Sequence, residues 1–125
     1  MNKAILSVGC NHHRSKHISQ VTALLRNRYP KSRFSTPEMT QPIDAPQEMK
    51  PFLNMVAVIY TTESREEFSA FLKKTEKEFG RDPDDEEEGI IAMDLDLLEW
   101  NDEVFKPQDF VRSYIVAGLG ELDEL

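Results

Sequence analysis

The run Phe52 to Thr62, Phe-Leu-Asn-Met-Val-Ala-Val-Ile-Tyr-Thr-Thr, limits the fold more than any other stretch of this chain. It is β-branched and nearly continuously apolar, which marks a central strand covered on both faces. A central strand needs partners on either side for its backbone groups, so the rest of the chain must supply a sheet.

The flanking sequence supplies the other pieces. Residues 3–9, Lys-Ala-Ile-Leu-Ser-Val-Gly, read as a first strand ending in the polar turn Cys10-Asn11-His12-His13-Arg14-Ser15. A helix follows from about Lys16 to Tyr29, with Ser15 as candidate N-cap, a stripe of Ile18, Val21, Leu24, Leu25 and Tyr29, and Pro30 as its stop. Lys31 to Ser35 is a short strand candidate, and the stretch carrying Pro42, Pro46 and Pro51 reads as a long loop, because prolines remove ladder donors. Ser64-Arg65-Glu66-Glu67 is a capping box opening a second helix, whose buried face is Phe68, Phe71, Leu72, Thr75 and Phe79 and whose end is marked by Gly80. The acidic run Asp82-Pro83-Asp84-Asp85-Glu86-Glu87-Glu88 is expected to repel itself into a mobile loop, and its spacing is not that of an EF-hand. Beyond a strand over 90–98, Trp100 to Glu103 reads as a hairpin turn, Val104 to Phe110 and Tyr114 to Val116 as short strand or turn pieces, and 121–125 as a fraying end. The order β-α-β-β-α-β is the ferredoxin-like α+β arrangement: an antiparallel sheet with both helices on one face, in one domain over 1–125.

The 90–98 run, Ile-Ile-Ala-Met-Asp-Leu-Asp-Leu-Leu, sets two acids in an apolar strand. Alternation puts Ile91, Met93, Leu95 and Leu97 on one face and Asp94 and Asp96 on the other, with the two aspartate Cα atoms about 6.6 Å apart at ~3.3 Å per residue. Paired carboxylates are costly without a cation between them, and hard oxygen ligands at that spacing suit Mg²⁺ and phosphate chemistry. An edge strand with a solvated polar face is the other reading. Cys10, His12, His13 and His17 match no zinc spacing, whereas Asn11, in the turn closing the first strand, is placed for a ligand contact. Gly118-Leu119-Gly120 lacks the lysine of a P-loop.

With 15 Lys+Arg against 23 Asp+Glu and a net charge of -8, the chain is a poor match for nucleic acid or anionic membranes. No apolar run approaches the ~20 residues of a membrane span, and the N-terminus lacks a signal h-region, so a cytoplasmic protein is expected. The single Cys fits a reducing compartment. Oligomeric state is open.

Several motifs, in order and over nearly the whole chain, resemble the 6-hydroxymethyl-7,8-dihydropterin pyrophosphokinase family of folate biosynthesis: Val8-Gly9-Cys10-Asn11, Ser35-Thr36-Pro37, Phe52-Leu53-Asn54, Glu76 through Gly80-Arg81, and Asp94-Leu95-Asp96-Leu97-Leu98 after Gly89. The resemblance implies transfer of a diphosphate from ATP to a pterin hydroxymethyl group. It implies that Phe52 and Tyr114 sandwich the pterin, that Asn54 meets its polar edge, and that Thr36 and Pro37 add main-chain contacts. On the ATP side it implies two Mg²⁺ held by Asp94 and Asp96, Glu76 and Arg81 as nucleotide contacts, and Arg81 and Arg112 as catalytic cations. The sequence departs from the family pattern at Ile91, where an arginine is expected, in the acidic run 82–88, after the DLD strand, where a histidine is expected, and in lacking the family's C-terminal segment. A non-catalytic pterin- or heterocycle-binding module and a ferredoxin-like interaction protein are the alternative readings.

Overall fold

A computed structural model of the chain describes residues 1–42 and 49–125. In chain order the elements are strand β1 (Asn2–Cys10), helix α1 (Arg14–Arg28), strands β2 (Ser32–Phe34), β3 (Glu38–Thr40) and β4 (Phe52–Thr61), helices α2 (Arg65–Glu78) and α3 (Pro83–Glu87), strands β5 (Asp94–Trp100) and β6 (Glu103–Val104), a 3-10 turn over Pro107–Val111, and helix α4 (Ser113–Glu121). They form an antiparallel sheet ordered β2-β4-β1-β5-β6, with β3 paired to the start of β4. This is the α+β, ferredoxin-like arrangement expected from the sequence. The proline-rich stretch is not all loop: β3 forms within it, while Pro46 lies outside the described residues.

Alternation along the strands separates two cores. Leu6, Val8, Met55, Ala57 and Ile59 face α1 and α2 and pack with Val21, Leu25, Phe68 and Leu72. On the opposite face Ile5, Val56, Val58 and Leu98 pack with Ile115 and Leu119 of α4 and with Leu122. β4 is therefore covered on both faces, as its composition demands. The second cover is a helix where strand or turn pieces were expected around Tyr114 to Val116. Ser113–Glu121 carries two glycines, each costing about 1 kcal/mol in a helix, and β-branched residues. Fully burying Ile115 and Leu119 returns roughly 1.5–3 kcal/mol each, so tertiary packing overrides local propensity.

Other expectations are corrected for equally local reasons. The N-cap of α1 is His13 in the left-handed conformation (φ 47°), not Ser15, which already lies within the helix. The acidic run folds into α3 rather than a mobile loop: the Asp82 side chain caps Asp84 N–H, Pro83 occupies the first helical position, and the acids fall at the favourable positive end of the helix dipole. β5 begins at Asp94 instead of Ile90, and a bulge opposite Ile5/Leu6 reverses its phase, so that Leu95 and Trp100 reach the same core. The C-terminus is tied rather than frayed, since Glu124 pairs with both Lys3 and Arg33 and Leu122 is buried. The α2 capping box forms as read, Gly80 takes φ 94° just past its end, and the hairpin turns at Asn101 (φ 55°) with Trp100 opposite Glu103.

Candidate active site

The face of the sheet under α4 changes character along its length. Register places Ser7 beside Val56 and Asp96, Gly9 beside Asn54 and Asp94, and Glu38 and Thr40 opposite Asn54 and Phe52. Where α4 covers the sheet these positions are apolar, and beyond its N-terminal end they turn polar. There a cavity of about 430 Å³ opens, lined by Phe52, Asn54, Asp94, Asp96, Arg112 and Tyr114 together with Ser7, Glu38, Met39, Thr40 and Asp109. The two aspartates thus share one sheet face, as alternation requires, and the sequence-read aromatics Phe52 and Tyr114 open into the same space.

Each acid on the floor meets a cation. Arg81 Nη1 donates to Asp94 Oδ1 at 3.0 Å, and Lys106 Nζ donates to Asp96 Oδ1 at 2.8 Å. Crowding by the protein, then the neighbouring Asp96 charge, raise Asp94 above the ordinary carboxylate range against the pull of Arg81 and Lys106. Lys106 is raised chiefly by its hydrogen bond to Asp96. Burial works against the Arg81 charge, but Glu86, Asp94 and Glu76 together hold its pKa above the usual value. At the mouth, Arg112 Nε lies 3.2 Å from Asp109 Oδ1. Tyr114 and Ser7 share a hydroxyl–hydroxyl hydrogen bond of 2.8 Å, which ties α4 to β1 across the cavity. Burial pushes the Tyr114 phenol up.

Asn54 is held on two sides. Its Nδ2 donates to Thr40 Oγ1, and its Oδ1 lies so close over Gly9 that a Cβ there would overlap it. Glycine at position 9 is what lets the amide sit flat on the sheet.

Five sequence-read residues stand elsewhere. Thr36 and Pro37 line a separate groove with Ile18, Leu53 and Met55 of the α1 face, and Thr36 N–H donates to Glu121 Oε1 and Oε2 at 3.0 and 2.9 Å. Glu76 is 4% exposed, and its Oε2 accepts from Leu95 N–H at 2.8 Å and Arg81 Nη1 at 3.0 Å, so it is a support beneath the site and not a group facing it. Arg81 reaches the cavity only through Asp94, being shared with Glu86 at 2.8 Å. Asn11 is likewise structural: Nδ2 donates to Gly89 O at 2.7 Å and Oδ1 accepts from Ile91 N–H at 2.7 Å, which fastens the segment leading into β5. His17 Nδ1 lies 2.9 Å from Ala92 O. Among the described residues no three acidic, His or Cys side chains form a metal-binding group.

Sequence reading missed Ser7, Glu38, Asp109 and Lys106. A lone serine inside the apolar β1 run marks Ser7, and recognising β3 exposes Glu38 by alternation opposite Asn54. Lys106 arrives through the β5–β6 hairpin and carries no spacing signal.

Comparison with curated proteins finds no match. The family model for 7,8-dihydro-6-hydroxymethylpterin-pyrophosphokinase matches residues 5–124. On that match over nearly the whole chain, which takes in every residue lining the cavity, this protein belongs to the 7,8-dihydro-6-hydroxymethylpterin-pyrophosphokinase family, whose activity is pyrophosphoryl transfer from ATP to hydroxymethyl-dihydropterin.

Proposed function

We propose that this chain carries out its family's transfer in the cavity between β3, β4, β5 and α4, as a single cytoplasmic domain with no nucleic-acid or membrane partner. The observation that carries this reading is the shared lining: a pair of aromatics, Phe52 and Tyr114, opens into the same space as the carboxylates Asp94 and Asp96. Among the described residues no helix is long and apolar enough to cross a membrane.

Phe52 and Tyr114 stack on the two faces of the pterin, burying its flat surface, and the Ser7 hydrogen bond fixes the Tyr114 ring at one side. Asn54, pinned by Thr40 and Gly9, presents its free N–H to the ring edge. Orientation of the hydroxymethyl oxygen toward ATP then makes a slow encounter effectively intramolecular. The oxygen bonds to the β-phosphorus, the bond between the α- and β-phosphates breaks with its electron pair going to AMP, and the hydroxyl proton leaves to solvent. Arg112, at the cavity mouth, holds phosphate oxygens as charge moves onto AMP. Arg81 does the same once it exchanges a carboxylate partner for a phosphate.

The donor set fits Mg²⁺, which takes one or two carboxylates and fills its remaining positions from water and phosphates. Asp94 and Asp96 would hold it, two ions in the reading by family resemblance. When bound, the metal supplies neutralisation of the phosphate oxygens. Calorimetry tests the reading. A hydroxymethylpterin is titrated alone, then in the presence of Mg²⁺ and an ATP analogue whose bridging α,β-oxygen is a methylene. Shared charges couple the two ligands, so each tightens the other by the same factor. Asp94→Asn and Asp96→Asn abolish Mg²⁺-dependent nucleotide binding while leaving the fold intact. Unchanged affinity in both variants discards the metal role, and pterin binding without coupling leaves a heterocycle-binding module in place of the enzyme.

A further inference from the structure

Among the described residues four carboxylates line the cavity, and three are spoken for: Asp94 pairs with Arg81, Asp96 with Lys106 and Asp109 with Arg112. Glu38 pairs with no cation among the described residues, and the undescribed residues 43–48 contain no Lys or Arg. It stands on β3 directly opposite Asn54, so their side chains rise from the same face of neighbouring strands. Phe52 is two residues from Asn54 on that face. A ring stacked on Phe52 therefore meets Asn54 and Glu38 at its edge.

The chemistry of that edge is one-sided. The 2-amino-4-oxo pyrimidine half of a pterin carries two parallel donors, the ring N3–H and the 2-amino group. Asn54 answers them poorly, because its Oδ1 is packed over Gly9 and its remaining polar group is an N–H. An acceptor is wanted, and a carboxylate with two oxygens matches two parallel donors as it matches a guanidinium.

We infer that Glu38 is the specificity-determining residue of the heterocycle site, its carboxylate accepting from the N3–H and 2-amino group of a 2-amino-4-oxo ring. This rests on the pterin reading above and adds to it a side chain that selects the 2-amino heterocycle over its 2-oxo counterpart. A 2-oxo ring places an acceptor where the amino donor stood, against the Glu38 oxygens, and an unmatched pair of acceptors costs more than a missing bond gains.

The test is fluorescence titration of 6-hydroxymethylpterin and 6-hydroxymethyllumazine, its 2-oxo analogue, into the wild-type chain, Glu38→Gln and Glu38→Ala. Glu38 is exposed on a short edge strand, so both variants keep the fold. The wild type prefers the pterin by about tenfold or more, the range of a charge-assisted hydrogen bond. Both variants lose about that factor on the pterin and none on the lumazine, so the preference collapses. Equal weakening of both ligands, or no change in either, overturns the role of Glu38 while the coupling between pterin and nucleotide still stands. Failure of the wild type to bind the pterin overturns both the role and the reading beneath it.

Discussion

Glu76→Ala is expected to destabilise the protein by about 2–3 kcal/mol, a large effect for a charged residue. The size follows from where the carboxylate sits. Glu76 is 4% exposed, and its Oε2 accepts from the Leu95 N–H at the start of β5 and from Arg81. Truncation leaves a buried backbone N–H unpaired, at about 1–3 kcal/mol, and removes an ionic acceptor whose bonds are the stronger kind. Arg81 limits the loss, because Glu86 and Asp94 still hold it, and the Lys73 contact at 3.7 Å adds little, since that side chain is 77% exposed. At an unfolding entropy of ~2.1 cal/mol/K per residue, a chain of this size loses roughly 8–11 °C of melting temperature. Glu76→Gln keeps an oxygen for Leu95 and gives up only the charge, so it loses about 1 kcal/mol. Thermal unfolding by circular dichroism orders the three proteins wild type, Gln, Ala. An alanine variant within 0.5 kcal/mol of wild type refutes the support role, and a glutamine variant as weak as alanine shifts the cause from the backbone acceptor to the charge.

Gly118→Ala is expected to destabilise by about 1–3 kcal/mol although helix propensity alone favours alanine by about 1, because the added Cβ would stand 2.6 Å from Val56 Cγ2; chemical denaturation measures the sign. Burial raises the Cys10 thiol to about 11, so thiol reagents at pH 8 should label the native chain only as fast as it unfolds. The unfolded thiol ionises near ~8.5, so the native state holds its proton longer and stability falls with rising pH from there to about 11, a loss that Cys10→Ala removes in melts at pH 7 and pH 10. Burial opposes the Glu124 charge, but hydrogen bonds from Lys3 and Arg33 lower its pKa below the usual value; Glu124→Gln should therefore cost up to about 1 kcal/mol at pH 7, with the gap to wild type closing as pH falls through the carboxylate range.

How far the chain could be read without coordinates depended on where its signals lie. Ser64 and Glu67 sit three residues apart and cap a helix whatever surrounds them, and the Phe52–Thr61 strand announces itself through composition. Asp94 and Asp96 fall on one face by alternation alone. The failures have non-local causes. α4 is helical because Val56, Val58 and Leu98 wait beneath it, and nothing within Ser113–Glu121 records that. β3 is three residues of pairing to β4, too short for a pattern. For α3, charge repulsion within the acidic run points to a loop, yet the Asp82 cap, Pro83 and the Glu86–Arg81 pair decide the outcome. Thr36 and Pro37 lie in sequence just before β3, but the chain turns there and leaves them on the α1 face.

If nucleotide binds in the cavity as proposed, the balance of charge there bears on how it would enter. Among the described residues Glu38, Asp94, Asp96 and Asp109 line it with Arg112 as the one cation, and Arg81 and Lys106 reach it only by way of the aspartates. A bare triphosphate brought to ~4 Å of a carboxylate meets roughly 1 kcal/mol of repulsion per pair in water, and more where water is excluded. Moving Arg81 or Lys106 from aspartate to phosphate does not by itself relieve this, since each cation that turns to the nucleotide uncovers the acid it had neutralised. Only an added positive charge breaks that exchange. Under the proposed function, Asp94 and Asp96 would hold a divalent ion that would supply their neutralisation, leaving Arg81 and Lys106 free for phosphate. On that reading the acidic floor would make nucleotide affinity depend on the metal more steeply than a basic floor would.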